Sequence, residues 1–197
     1  MQTNFRLLSV AALTLVISFT ACNKNNDPKP QDSTELTVHS EDQSRVSAEM
    51  DAVTNEVNAA IEADGSFTGR QQNITTICNA TAVADTSGNP WTITITYNGA
   101  NCMGSHTRTG VVVVSKPAGV RWRDAGAAIT VTYQNVKITR VADNKSITIN
   151  GSHTLTNVSG GLLVNLSTLN QITHRIASQG MSIKFDDNTT RTWQVAR

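Results

Sequence analysis

The apolar positions divide the chain into a leading segment, one helix and a long series of strands. From Val46 the apolar residues recur at steps of three and four, which places them on one narrow helical stripe. Ser40 and Gln43 fit a capping box at the start of this helix, and Gly65 fits its end. We therefore predict an amphipathic-helix segment over residues 40–65, with the helix itself at about 41–63. Its stripe covers only about two heptads, so we expect it to pack on strands of this chain rather than in a coiled coil.

From residue 66 onward the apolar period changes to two. Residues 91–97, for example, alternate apolar side chains with threonines, which is typical of a half-buried strand. A change of phase near Asn135 predicts a β-bulge, and the alternation from Leu162 to Leu166 predicts one more strand. The pattern predicts a mainly β fold over residues 66–197: an antiparallel meander of about eight or nine strands that forms a curled sheet or a sandwich, with one N-terminal amphipathic helix.

Residues 1–21 have the features of a lipoprotein signal peptide. Arg6 precedes an apolar run over residues 7–19 that is shorter than the ~20 residues needed to span a bilayer. Two small residues and then Cys22 follow, as in a bacterial lipobox. Cys22 is therefore the predicted site of lipid attachment, and palmitate is one of the expected acyl groups. An ordinary secretory signal with a chance cysteine is the alternative. Residues 22–39 lack apolar periodicity and are predicted to form a lipid-anchored flexible tether.

These features place the protein in a bacterial cell envelope, attached to a membrane through its lipid. Asn23 after the cysteine is compatible with sorting to the outer membrane, on either its periplasmic or its surface face. In the tether, Asp32-Ser33-Thr34 resembles the O-glycosylation acceptor of Bacteroidota, which makes Ser33 a candidate glycosylation site.

Two cysteines remain after the lipid-attachment site. Cys78 and Cys102 are an even pair in an oxidising compartment, which predicts a disulfide bond between them. A metal pair or a reactive thiol is the alternative, and neither a Cys-x-x-Cys nor a Cys/His spacing accompanies the two residues.

Charge is low overall and uneven along the chain. The net charge is +1 and aromatic residues make up 5%, which argues against a nucleic-acid partner and against an aromatic sugar-binding platform. Residues 22–64 hold three basic and ten acidic side chains, whereas residues 65–197 hold twelve basic and five acidic ones. A basic β-domain would attract an anionic glycan or lipopolysaccharide. The alternative, which we favour, is an acidic helix that lies over its own basic sheet.

The sharpest local feature is the sequence Arg121-Trp122-Arg123-Asp124. On an extended strand the two arginines share a face, so Arg121 and Arg123 are the candidate anion-binding residues, arranged as a clamp for a carboxylate or a phosphate. The alternative is a core tryptophan, two solvated arginines and an aspartate that supports the turn after it.

Catalytic and metal-binding patterns are weak. The tetrapeptide Gly-Ser-His-Thr occurs twice, but neighbouring strand residues point to opposite faces, so Ser105 is not expected to meet His106. No catalytic residue, metal site or cofactor is predicted, and the expected function is a non-enzymatic binding or structural module. The runner-up functions are a glycan-acting hydrolase, with Asp124 and Asp186 as its carboxylates, and an accessory subunit of an outer-membrane assembly machine.

Four segments of the β-domain together resemble a family of uncharacterised β-rich lipoproteins of Bacteroidota. They are Cys102 with the strand sequence Arg108-Thr109-Gly110, the Arg121–Gly126 turn, Tyr133-Gln134-Asn135-Val136 and Gly151–Asn157. In that family a cysteine precedes an Arg-x-Gly strand, and a basic-aromatic-basic-Asp-x-Gly turn comes next. The resemblance covers most of the chain after residue 70 and implies a β-rich fold and an envelope location, without an activity.

Overall fold

The computed structural model describes residues 33–68 and 77–197. The predicted signal peptide, Cys22 and residues 23–32 of the predicted tether lie outside the described residues. The helices are α1 (Ser33–Ala63), α2 (Gly65–Thr68) and α3 (Leu166–Leu169). The strands are β1 (Ala80–Asp85), β2 (Trp91–Ala100), β3 (His106–Lys116), β4 (Ala127–Arg140), β5 (Ser146–Asn157), β6 (His174–Phe185) and β7 (Thr190–Ala196). Glu41–Arg197 form one compact unit, which contains α1 from Glu41 onward and the whole sheet.

The seven strands form a single antiparallel sheet whose order, β1 to β7, is the order of the sequence. Each strand is therefore hydrogen-bonded to its neighbours along the chain. This confirms the predicted mainly β fold, an antiparallel meander preceded by one helix. Apolar side chains of β2, β4 and β5 alternate into the buried side of the sheet, and threonines and serines occupy much of the other side.

The helix α1 covers the apolar side of the sheet. The predicted stripe residues Val46, Val53 and Ile61 are fully buried and belong to the same hydrophobic core as Ile95 on β2 and Tyr133 on β4. Removing each such side chain from water stabilises the folded state by about 2 kcal/mol. The stripe packs on the strands of its own chain, as predicted.

The start of α1 differs from the prediction, whereas its end at Ala63 agrees with it. The helix begins at Ser33 rather than at Ser40, because no glycine or proline lies between the two residues to interrupt it. The described part of the predicted tether is therefore helical. At the other end Gly65 begins α2, and the Asp64 carboxylate accepts a hydrogen bond from the Ser66 backbone N–H at 2.9 Å. Asp64 is thus the N-cap of α2, and Gly65 is the first residue of that helix rather than the left-handed stop that was predicted.

A line of register shifts crosses the sheet where the apolar phase changes. The shift in β3 includes Gly110 and lies opposite a shift in β4 between Tyr133 and Val136, where Asn135 has a φ of 50°. The predicted bulge near Asn135 is confirmed. Gly110 has a φ of 104°, and a Cβ on it would lie 2.3 Å from the Asn135 carbonyl oxygen. Bulges of this kind increase the local twist of a sheet.

The connection between β5 and β6 is helical where a strand was predicted. Leu162 is buried, but Leu163–Asn165 form a 3-10 turn and Leu166–Leu169 form α3. The preceding residues Gly160 and Gly161 both have positive φ, a conformation that turns the chain sharply. The alternation here therefore finds no partner strand. Beyond this connection, the apolar residues Ile176, Met181 and Ile183 lie on the single strand β6, which register shifts interrupt.

The predicted disulfide bond is present. Cys78 and Cys102 are bonded, with their Cα atoms 5.2 Å apart. Cys78 lies just before β1 and Cys102 lies between β2 and β3, so the bond fastens the first edge strand to the sheet.

Candidate functional site

A largely buried cluster of charged side chains lies between α1 and β3. The Arg108 side chain is only 4% exposed, and its guanidinium lies 2.5 Å from Glu56 Oε1 and 3.7 Å from Glu49 Oε2. The two glutamates are seven residues apart on α1, which puts them on one face of the helix. The Tyr97 hydroxyl on β2 donates a hydrogen bond to Glu56 Oε2 at 2.7 Å. Burial, assisted by the Glu56 charge, raises the pKa of Tyr97, so the phenol stays protonated.

A serine–histidine–glutamate chain extends this cluster toward the surface. Glu49 Oε1 lies 3.1 Å from His106 Nε2, and His106 Nδ1 lies 2.9 Å from Ser105 Oγ. The Asn101 side chain fixes the position of Ser105 by accepting its backbone N–H at 2.9 Å. The prediction that Ser105 does not meet His106 is wrong. Ser105 belongs to the β2–β3 connection and β3 begins only at His106, so strand alternation does not separate the two side chains.

The second Gly-Ser-His-Thr copy lies inside β5 and follows the strand rule. His153 is buried and Ser152 is exposed, so their side chains lie on opposite faces of the sheet. The His153 ring packs 5.6 Å from the Tyr133 ring, and its two nitrogens have no hydrogen-bond partner among the described residues. Burial lowers the pKa of His153 to about 4. This histidine is therefore a neutral core residue near pH 7.

Further acid–base pairs connect α1 with β7 and with the residue that follows it. Asp42 lies 3.2 Å from the Arg191 guanidinium, and Asp51 pairs with Arg197. Together with the Arg108 cluster, these pairs show that the acidic helix lies over its own basic sheet, which is the interpretation that the charge pattern favoured.

A second buried cation lies at the end of β3, and sequence reasoning missed it. Lys116 Nζ lies 4.1 Å from the Trp91 ring and 4.7 Å from the Phe67 ring, and it donates a hydrogen bond to the Val120 carbonyl oxygen at 2.6 Å. Desolvation lowers the pKa of Lys116. The sequence could have indicated it, because Lys116 lies two residues after Val114 and so on the same buried face of the strand. The lysine joins β3 to α2 through cation–π contacts.

The two candidate anion-binding residues lie in a turn rather than on an extended strand. Trp122 is fully buried, and its ring lies 5.2 Å from the His174 ring. Arg121 pairs with Asp124 at 3.0 Å, whereas Arg123 is exposed and has no ion-pair partner in the described part of the chain. The core tryptophan and the supporting aspartate of the alternative interpretation are therefore present, and the free cation is Arg123.

The carboxylates assigned to the runner-up hydrolase lie at opposite ends of the sheet. Asp124 belongs to a turn that is hydrogen-bonded to Asn157 at the end of β5. Asp186 directly follows β6, whose last residue pairs with Ile147 near the start of β5. The intervening length of β5 spans about 30 Å, whereas the two carboxylates of a glycosidase lie within about 10 Å of each other. This pair cannot act on one glycosidic bond, so that assignment is wrong.

The remaining candidate residues concern modification and metals. Ser33 is the first residue of α1 and Cys22 lies outside the described residues, so glycosylation and lipid attachment stay predictions. Among residues 33–68 and 77–197, no group of three or more His, Cys, Asp or Glu side chains is placed to hold a metal ion. None of the described helices has the length and apolar character of a membrane-spanning helix.

Comparison of the chain with family models, curated proteins and solved structures finds no match. The resemblance to β-rich lipoproteins therefore rests on the sequence segments alone, and the functional argument rests on the residues of this chain.

Proposed function

We propose that this protein is a lipid-anchored, non-enzymatic module of the bacterial cell envelope, held at the outer membrane through Cys22. The lipobox-like end of the apolar leader supports the anchor. The Cys78–Cys102 disulfide supports an oxidising compartment, because such bonds persist outside the cytoplasm.

The observation that carries the non-enzymatic part of this proposal is the use of the Arg108 cluster. The Arg108 guanidinium forms ion pairs with Glu49 and Glu56, and the Tyr97 phenol donates a hydrogen bond to Glu56. Charges that are paired with each other in this way hold a helix on a sheet, whereas a catalytic group must face a reacting atom. The module is then a rigid β-domain that offers its surface to a ligand or partner.

An anionic glycan or lipopolysaccharide is the proposed ligand class. Arg123 supports it, because this arginine is exposed and lacks an ion-pair partner within the described residues. Arg121 would have to release Asp124 before it could bind the same anion.

Membrane fractionation of the full chain produced in a bacterial host tests the anchor. The wild type should be found in the membrane fraction and should leave it only with detergent. The variant Cys22→Ala should be released or should remain unprocessed, and Ser33→Ala serves as the control that keeps its anchor. Equal membrane association of the Cys22→Ala variant and the wild type would contradict the proposal.

A second candidate function, a serine hydrolase, follows from the Ser105–His106–Glu49 chain. In such an enzyme Ser105 Oγ would attack the carbonyl carbon of an ester while its proton passes to His106 Nδ1, and Glu49 would orient the imidazole. The C–O bond to the leaving alcohol would then break as His106 returns the proton to it, and water would hydrolyse the acyl-serine to restore Ser105. A fluorophosphonate probe tests this directly. Covalent labelling of the wild type that is lost in Ser105→Ala but kept in Ser152→Ala would favour the hydrolase, and no labelling would favour the non-enzymatic module.

A further inference from the structure

The connection between β5 and β6 is the most apolar exposed part of the described chain. Residues 158–173 contain no charged and no aromatic side chain. Eight large hydrophobic residues are exposed among the described residues, and five of them lie in this connection. They are Val158 (47% exposed), Leu163 (39%), Val164 (57%), Leu166 (43%) and Leu169 (45%). A cluster of this kind, unlike a single exposed leucine, indicates a binding surface.

Side chains of α1 and β5 form hydrogen bonds to the backbone of this connection. The buried Glu62 carboxylate accepts hydrogen bonds from the backbone N–H groups of Leu163 at 2.5 Å and Val164 at 3.2 Å. The Asn157 side chain donates to the Gly161 carbonyl oxygen at 2.8 Å. The exposed leucines are therefore presented by fixed backbone, and their exposure is built into the fold rather than left by a loose loop.

Unpaired cations flank this apolar surface at both ends of the connection. The Arg123 carbonyl oxygen accepts the Gly161 backbone N–H at 2.8 Å, which places Arg123 beside the start of the connection. Arg175 follows its end, as the second residue of β6. Both arginines are exposed, and neither has an ion-pair partner in the described part of the chain.

We infer that the Val158–Leu169 surface inserts its aliphatic side chains into the interface of an anionic lipid bilayer, with Arg123 and Arg175 on the headgroup phosphates. Aliphatic side chains with a basic rim are typical of interfacial membrane contacts. The cores of protein–protein interfaces are enriched in aromatic residues, which this connection lacks. The inference rests on the proposed function, because the anchor at Cys22 brings the domain to a membrane.

The proposed anchor lies close to this domain in the sequence. Eleven peptide steps separate Cys22 from the first residue of α1, a contour length of at most about 40 Å. A lipid on Cys22 would therefore keep the start of α1 within that distance of a bilayer. Insertion of the Val158–Leu169 surface would add an orientation that the anchor alone does not set.

A label on the full lipidated chain, reconstituted in vesicles, tests the inference. With Cys22 lipidated and Cys78 bonded to Cys102, the variant Leu166→Cys carries one free thiol for an environment-sensitive fluorophore. Val83→Cys, on the edge strand β1 and 65% exposed, is the matched control. In vesicles with phosphatidylglycerol we expect the label at position 166 to shift to the blue and to be quenched by spin-labelled lipid, while the label at position 83 stays in water.

The charge dependence is tested with the pair Arg123→Gln and Arg175→Gln in the labelled chain. Lipid quenching at position 166 should fall severalfold in this variant, and the wild-type signal should fall similarly in vesicles of phosphatidylcholine alone. The matched control is Lys137→Gln with Lys184→Gln, which removes the same charge from exposed sites on β4 and β6 and should leave the quenching unchanged. Thermal melts confirm that each variant is folded.

Equal quenching at positions 166 and 83 would overturn the inference. So would a position 166 label that is shielded only when envelope protein is added, because a protein would then be the occupant. Failure of the chain to float with the vesicles would contradict the proposed anchor instead, and the same label on the unanchored chain would still report whether the surface inserts.

Discussion

The guanidinium of Arg108 on β3 lies 2.5 Å from the carboxylate of Glu56 on α1, fifty-two positions away in the sequence. This contact, with Glu49 on its other side, joins the acidic helix to the basic sheet at the level of the hydrophobic core. The opposite charges of the helix and the sheet therefore help to attach α1 to the sheet.

Replacing Arg108 with methionine should destabilise the fold strongly. The substitution leaves Glu49 buried without its cation, and removing one partner of a buried ion pair costs about 3–5 kcal/mol. Urea denaturation monitored by circular dichroism measures the loss. The matched control is Arg121→Met, whose pair with Asp124 is exposed and should contribute less than about 1 kcal/mol. Similar losses in both variants would contradict the assigned role of Arg108.

The crossing of β3 and β4 should be intolerant of a side chain at Gly110. Gly110→Ala places a Cβ against the Asn135 backbone and forces alanine into a positive φ, which together should cost about 2–4 kcal/mol. Gly88→Ala is the control, because a Cβ there meets nothing within 4 Å. Thermal melts of the two variants should separate clearly, and an unchanged melting temperature for Gly110→Ala would count against the bulge geometry.

Acid should destabilise the protein through His153. Its pKa is about 4 in the folded chain, below the value of ~6.5 expected when unfolded. Above pH 6.5 both states are neutral. Between pH 6.5 and 4 only the unfolded state takes up the proton, so stability falls with decreasing pH by about 3 kcal/mol. In His153→Leu this part of the pH dependence should disappear, and identical slopes in wild type and variant would refute it.

Loss of the disulfide should lower stability without changing the fold. The bond closes a loop between residues 24 positions apart, which contributes about 3.5 kcal/mol in the chain-entropy model. Reduction of the wild type and the double change Cys78→Ala with Cys102→Ala should lower the urea midpoint by similar amounts. A midpoint that reductant does not move, together with two thiols that react with a label in the unfolded chain, would show that the bond does not form.

Much of the architecture follows from local patterns, because periodicity reports which face of an element is buried. The stripe from Val46 and the phase change at Asn135 predicted the helix face and the bulge correctly. The strand predicted from Leu162 onward was wrong. Of its alternating apolar residues only Leu162 is buried, and the two glycines before it turn the chain away from the sheet. An apolar period of two gives a strand only where a neighbouring strand is available for pairing, and the local sequence does not show whether one is.

The candidate site was harder to predict, because its residues come together only through the packing of α1 on the sheet and the exact position at which β3 begins. Nothing near Arg108 in the sequence indicates Glu49 or Glu56, which are brought to it by the packing of α1. Ser105 and His106 are neighbours in sequence, but their contact depends on where β3 begins. A shift of one residue in that boundary decides whether the two side chains share a face.

The mass of the mature protein purified from a bacterial envelope tests the central claim most directly. The account predicts a chain that has lost residues 1–21, begins at Cys22 and carries the added mass of a diacylglycerol group and an amide-linked acyl chain such as palmitate. The Cys78–Cys102 bond should account for the loss of two hydrogens. A chain cleaved at another residue, or one with an unmodified Cys22, would contradict the account.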